Sequence, residues 1–302
     1  MFLHVQKLIN EIVPDEPDPA AANALQEGLG GQFSEMRTMM QYLFQSFNFR
    51  GDESGKPYRD LIQAIGVEEI SHVELIATTI AQLLDGAPNY KGDGTPGEGG
   101  KVPLNMALSN GNIHHFLVGA QGALPVDSAG NPWSGSYVYN SGNLVLDLLY
   151  NLMLEATGRL QKCRIYEMTN NKTARATISY LIARDAAHEA AFAKALETLG
   201  VNWGQTLPIP KFDATKYPEV KKLMDEGAHN TQHHWRLDGS QMAAIFNGPS
   251  PLSDVEATLE TTDEPPEGAP MPASPERPEE FAPGLTPELM ELVEEAAAMA
   301  VK

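Results

Sequence analysis

Two short spacings in this sequence could hold a metal ion. Glu69-Ile70-Ser71-His72 and Asp185-Ala186-Ala187-His188 each set a carboxylate three residues before a histidine. On a helix, residues three apart share a face, so each pair would aim an oxygen and an imidazole nitrogen in one direction. Two further acids keep apolar company. Glu155 follows Leu144, Leu148 and Leu152 at helical spacing within a stretch that is apolar nearly all round, so its carboxylate points into a core. Glu35 stands at the edge of an apolar arc of Met36, Met39, Met40, Leu43 and Phe47, with Arg37, Gln41 and Gln45 opposite. Isolated carboxylates in a dry core cost several kcal/mol each, so something cationic must compensate them. Two divalent ions would more than offset the three charges of Glu35, Glu69 and Glu155, leaving room for bridging oxide, hydroxide or water. A Glu from each of two helices, with Glu-x-x-His from each of two others, is the donor pattern of dinuclear carboxylate centres, from which the chain departs only in reading Asp185 for the second of those glutamates.

The neighbours of these residues suggest supporting roles. Asp185 is one methylene shorter than a glutamate. Glu69 is therefore expected to be the sole bridging carboxylate, with Asp185 behind it, bonded to bridging solvent and able to carry a proton. Lys162 follows Glu155 by two helical turns and points within about 20° of it, so its ammonium could anchor an anionic peroxide or a carboxylate. Arg159 and Arg184 lie near the same faces and compete for that part. Tyr42, two turns after Glu35, could donate its hydroxyl to that carboxylate. Glu68 and Glu74 point elsewhere and read as surface acids. His114, His115, His229, His233 and His234 read as structural or exposed, and Cys163 as an inert core thiol. Carboxylate, water and imidazole suit manganese, but the same set would serve a di-iron oxidase or oxygenase, or a ferritin-like metal-binding protein.

Such a site needs four helices to carry it. Apolar periodicity predicts them over Ala20–Phe47, Tyr58–Leu84, Asn143–Met168 and Thr173–Leu199. Short breaks at Gly51-Asp52-Glu53-Ser54-Gly55 and Thr169-Asn170-Asn171 make each flanking pair an antiparallel hairpin. Residues 85–142, rich in Gly, Pro and Asn, are long enough to cross the bundle and return the chain at the opposite end. Two hairpins joined by a long crossover describe an all-α, ferritin-like four-helix bundle over residues 1–200. Residues 201–302 read as a loop-rich region and an acidic, proline-rich arm. The arm ends in a short helix that Thr286 would cap, with Pro287 at its first position.

The 302 residues carry a formal net charge of −19, and no basic patch interrupts it. That excludes a general affinity for nucleic acid or anionic membrane. Residues 248–302 hold 13 acidic against 2 basic residues and 10 of the 22 prolines, a composition that cannot form its own core. One cysteine excludes a disulfide framework or a cysteine-ligated metal cluster. No apolar run approaches the roughly 20 residues of a membrane span. A soluble, cytoplasmic protein is the expectation.

In its motifs the chain resembles the manganese catalases, the non-haem dimanganese family. The resemblance rests on Gly30-Gly31-Gln32-Phe33-Ser34-Glu35-Met36 and Gln45-Ser46-Phe47-Asn48-Phe49-Arg50. It rests also on Glu68-Glu69-Ile70-Ser71-His72-Val73-Glu74, Glu155 and Asp185-Ala186-Ala187-His188-Glu189. It covers roughly residues 1–200 and the shape of the tail. It implies two manganese ions that cycle between the divalent and trivalent states and disproportionate hydrogen peroxide to dioxygen and water. It implies further that Glu35 and His72 hold one ion, Glu155 and His188 the other, and that Glu69 bridges them. A homohexamer with C-terminal arms wrapping neighbours is implied as well. The chain departs from some relatives in having Asp185 for Glu, and Leu154 for an Arg beside the third-helix glutamate, so Lys162 is expected to take over the cationic part. Ala64 removes a possible partner carboxylate of Asp60, and no calcium is expected.

Overall fold

The computed structural model describes residues 5–85, 111–211, 213–233, 241–246, 260–262, 267–273 and 287–300. Residues 86–110 of the expected crossover, His234, Thr286 and much of the acidic arm lie outside them.

Helix α1 spans Pro19–Gly30; Pro19 opens it and the Asp18 carboxylate caps the Ala21 amide. Helix α2 spans Glu35–Phe47. The stretch expected as one helix from residue 20 to 47 is thus two helices. The break follows from close packing: a Cβ on Gly30 would run into the backbone of Val126, and one on Gly31 into Glu27. Helix α3 spans Lys56–Leu84, α4 spans Leu144–Met168 and α5 spans Lys172–Thr198. Asn143 and Asn171 cap the last two by accepting from the Leu146 and Ala174 amides.

Helices α2 to α5 form an all-α, ferritin-like four-helix bundle. Contacts give its directions. Thr38 meets Glu69, whereas Leu43 lies beside Gly66, so α2 and α3 are antiparallel. Lys162 meets Asp185, whereas Arg159 meets Glu189, so α4 and α5 are antiparallel as well. Tyr42 meets Glu155 and Gln45 meets Asn151, which makes α2 and α4 antiparallel across the bundle.

The apolar interior is in two parts. One gathers Leu75, Ile76, Ile80 and Leu83 of α3 with Leu25 and Leu29 of α1, Ile165 of α4 and Ile178 of α5. The other gathers Leu61, Ile62 and Ile65 with Tyr42, Leu148, Leu152 and Phe192. The acids and histidines of interest lie between the two parts, a polar layer with an apolar core on either side.

The downstream region, which periodicity left unassigned, buttresses the bundle. Helix α6, Pro218–Asp225, packs on α5, and a turn at Met242–Ile245 packs on α3. Strand β1, Lys7–Leu8, pairs antiparallel with β4, Ala269–Pro270; β2, Thr231–His233, pairs parallel with β3, Glu260–Thr262. Helix α7 spans Pro287–Ala300. Among the described residues no helix is long and apolar enough to cross a membrane.

Candidate metal centre

Helix α2 turns its polar side inward. Glu35, Arg37, Thr38, Gln41, Tyr42 and Gln45 are buried, while Phe44 and Phe47 are 44% and 63% exposed. The expected apolar arc from Met36 to Phe47 is therefore not the inner face. The reason lies across the bundle, where α4 offers polar partners. Gln41 and Gln45 donate to Asn151 Oδ1 at 2.9 and 3.1 Å, and Arg37 donates to the Tyr150 hydroxyl at 2.9 Å. Buried amides with partners cost little, so this face can be interior.

On α3, Glu69 occupies the centre of the polar layer. Its Oε2 lies 3.0 Å from His72 Nδ1 and accepts from Thr38 Oγ1 at 3.0 Å. Its Oε1 lies 2.9 Å from His188 Nδ1. Glu35 Oε2 is 3.5 Å from His72 Nδ1, and Glu155 Oε1 is 3.7 Å from His188 Nδ1. Two clusters result, Glu35 with Glu69 and His72, and Glu69 with Glu155 and His188, each with its donor atoms within 4.8 Å of one another. All five side chains are buried, none more than 1% exposed. The five residues expected to bind metal are thus brought together.

His72 Nδ1 and Glu69 Oε2 are hydrogen-bonded, but other atoms that face one another there are not. Glu69 Oε1 and His188 Nδ1 are close, yet among the described residues neither has a hydrogen-bond partner of good geometry, and neither has Glu35 Oε2. Buried donor atoms that converge without bonding are what a cation placed among them would satisfy, and three carboxylates with two imidazoles suit a hard to borderline divalent ion. The electrostatics of the protein's own groups agree. Burial opposes a charge on either imidazole, but Glu69 overrides it at His72 and Glu68 at His188, holding both well above the usual histidine range. Burial likewise opposes the Glu69 charge, and His72 with His188 pulls that carboxyl well below its usual range. The layer calls for positive charge.

Lys162 and Asp185 form the flank of the site. The Lys162 ammonium lies 2.5 Å from Glu35 Oε1 and donates to both oxygens of Asp185 at 2.6 and 2.8 Å. Burial opposes its charge, yet Asp185 and Glu35 hold it far above the ordinary lysine range. Asp185 thus faces an ammonium. The two arginines that competed for this place are engaged elsewhere: Arg159 binds Glu189 at 2.8 Å, and Arg184 binds Glu68 at 2.6 Å.

Two expectations need correction. Tyr42 does not meet Glu35; its hydroxyl donates to Glu155 Oε1 at 2.6 Å. Because α2 and α4 run in opposite directions, a residue two turns beyond Glu35 is level with Glu155 instead. Removing that hydroxyl in Tyr42→Phe is expected to destabilise the ion-free protein by about 1–3 kcal/mol, by leaving a buried carboxylate oxygen without its donor. Urea unfolding measures this, and an unchanged midpoint would sink it. Glu68, read as a surface acid, is fully buried and lies against both histidines. Helix α3 packs against α2 on one side and α5 on the other, so a wider arc of it is interior than one apolar stripe suggests. A basic residue directly before Asp185 was the available signal, since a buried acid needs a cation. Thr38 was also missed; a hydroxyl one turn from Glu35 marked it.

The comparisons with known proteins bear on this geometry. The family model described as manganese containing catalase matches residues 1–301. The chain is 39% identical over 239 residues to a manganese catalase of Bacillus subtilis, covering 78% of this chain and 85% of that one. It is 37% identical over 233 residues to a manganese catalase of Lactiplantibacillus plantarum, covering 75% of this chain and 84% of that one. Its fold is similar to the crystal structure of KatB, a manganese catalase from Anabaena. The TM-score is 0.54 at 24% identity, over 88% of this chain and all of that one.

Proposed function

The chain belongs to the manganese-containing catalase family, whose manganese enzymes disproportionate hydrogen peroxide, and from that premise we propose how its residues hold the metal. Glu35 and His72 take one manganese ion, Glu155 and His188 a second, and Glu69 bridges the two, with oxide, hydroxide or water completing the bridge. The observation that carries this reading is Glu69, shared by two buried carboxylate–imidazole clusters, one oxygen to each histidine. When bound, the pair of manganese ions supplies the two-electron change between divalent and trivalent states.

The protein's own groups supply the rest. Over a full turnover one peroxide gives up two electrons and two protons to become dioxygen, and a second takes them up to become two waters. Asp185 is the group placed to accept and return protons, and the Lys162 ammonium bonded to it steadies an anionic peroxide. Tyr42 and Thr38 hold Glu155 and Glu69 in place. Apolar cores lie on both sides of the layer and its ligands are buried, a setting that suits a small, neutral substrate. Protein from manganese-replete cells is expected to hold two manganese ions per chain and to release oxygen from peroxide. Two irons and no oxygen would overturn the reading.

The homo-oligomer, a hexamer with C-terminal arms wrapping neighbours, and the cytoplasmic location belong to the same proposal. Supporting the assembly, Leu146, Met153 and Leu160 recur every seven residues along α4 and remain 49%, 36% and 40% exposed. Leu292, Val293 and Met299 of α7 are exposed too. Deleting residues 286–302 is expected to lower the number of chains per particle read from sedimentation; an unchanged number of chains would remove the arm from the assembly.

A further inference from the structure

Behind the two histidines, on the side away from Glu69, stands a single carboxylate. His72 Nε2 lies 3.6 Å and His188 Nε2 3.4 Å from the same atom, Glu68 Oε1. The two rings are stacked, 5.7 Å apart and 24° from parallel, so their Nε2 atoms point the same way while their Nδ1 atoms point to Glu69. These distances are long for hydrogen bonds, so the contact acts through charge and dipole alignment. Glu68 is itself fixed. Arg184 donates to its Oε1 from Nε at 2.6 Å and to its Oε2 from Nη2 at 3.2 Å. Arg184 Nη1 in turn donates to the carbonyls of Ala228 and Thr231, at 2.5 and 2.7 Å. Both side chains are buried.

We propose that Glu68, held by Arg184 and through it by the chain from Ala228 to the start of β2 at Thr231, is a positioning residue that orients both metal-binding histidines at once. An anion behind Nε2 keeps the ring proton there and leaves Nδ1 as the lone-pair donor toward the ions. This arrangement makes the imidazole a stronger ligand and fixes its plane. One carboxylate serving two rings also ties the two metal positions together. It makes the downstream chain part of the site, although it contributes no ligand. The inference rests on the ligand assignment above, so its test must separate the two.

The test measures manganese affinity at equilibrium and the electron paramagnetic resonance spectrum of the coupled ion pair. The wild type, Glu68→Gln and Glu189→Gln are compared. Glu189 of α5 pairs with Arg159 of α4, also buried, so its variant reports what loss of a buried ion pair does by itself. Glu68→Gln is expected to weaken both ions together, by about 10–100-fold, and to alter the coupled spectrum. Glu189→Gln is expected to keep the wild-type affinity and spectrum. Should Glu68→Gln fail to fold, Arg184→Lys gives the same readout, because lysine keeps the charge but cannot span Glu68 and both carbonyls. Wild-type affinity and spectrum in Glu68→Gln, or in Arg184→Lys where that is the variant measured, would overturn the inference and leave the ligand assignment standing. The inference also falls if Glu189→Gln weakens both ions as much, since a general structural role then accounts for the effect. A wild type that takes up no pair of manganese ions would overturn the ligand assignment and this inference together.

Discussion

Replacing Glu69 by glutamine is expected to empty both metal positions and end the release of oxygen from peroxide. The two oxygens of Glu69 face different histidines, at 2.9 and 3.0 Å, and among the described residues no other side chain belongs to both clusters. Glutamine keeps the shape but offers one oxygen in place of two, and turns an amino group toward one imidazole and one cation. It also removes one negative charge from a layer already holding the ammonium of Lys162 and the guanidinium of Arg184. Loss of an outer partner of a ligand costs roughly 10–100-fold, and loss of a ligand shared by two ions must exceed that; we expect an activity drop of about 1,000-fold or more. Metal analysis and oxygen release on the purified variant decide the matter. Near-complete manganese with wild-type turnover would remove Glu69 from the bridge. A circular dichroism spectrum that matches the wild type would show that the loss is of metal and not of fold.

The second large effect belongs to Lys162. Its ammonium is the cation against Glu35 and Asp185, at 2.5 and 2.6 Å, and its side chain is 2% exposed. Lys162→Met leaves two buried carboxylates facing each other across the gap. Removing one partner of a buried ion pair costs about 3–5 kcal/mol, because the remaining charge is left uncompensated. Denaturant unfolding of the ion-free protein should show that loss, and Lys162→Met/Asp185→Asn should recover most of it by neutralising the stranded acid. Catalysis separates the electrostatic part from the structural part. If the pair handles the peroxide proton, kcat falls by about 100–10,000-fold in Lys162→Met and does not return in the stabilised double variant. Wild-type kcat in either variant would confine the pair to stability.

Much of this was legible in local spacing. Glu69 and His72, or Asp185 and His188, share a helix face whatever the rest of the molecule does, because the backbone geometry of a helix places residues three apart side by side. The loops too were readable, since Asp52 to Gly55 and Asn170 to Asn171 end one helix and start the next with side chains that bond backbone amides. What misled the reading was α2. Its methionines and phenylalanines form the more apolar side, yet its arginine, glutamines and tyrosine face in, because Tyr150, Asn151 and Glu155 on another helix satisfy them. Periodicity reports which side of a helix is greasy, and that equals the inner side only when the interior is greasy as well.

Residue types and their intervals along the chain determined where the long helices fall and which acids and histidines each of them carries, a donor set that suits a metal centre. Pairings between helices were decided by the tertiary structure alone: Tyr42 with Glu155, Lys162 with both Asp185 and Glu35, Arg184 with Glu68, and Glu68 behind both imidazoles. A helix repeats itself every 3.6 residues, so neighbours within it follow from counting. How far one helix slides and rotates against the next depends on the packing of the whole bundle. That packing settles which of two adjacent glutamates lies against one histidine pair's Nδ1 atoms and which against their Nε2 atoms.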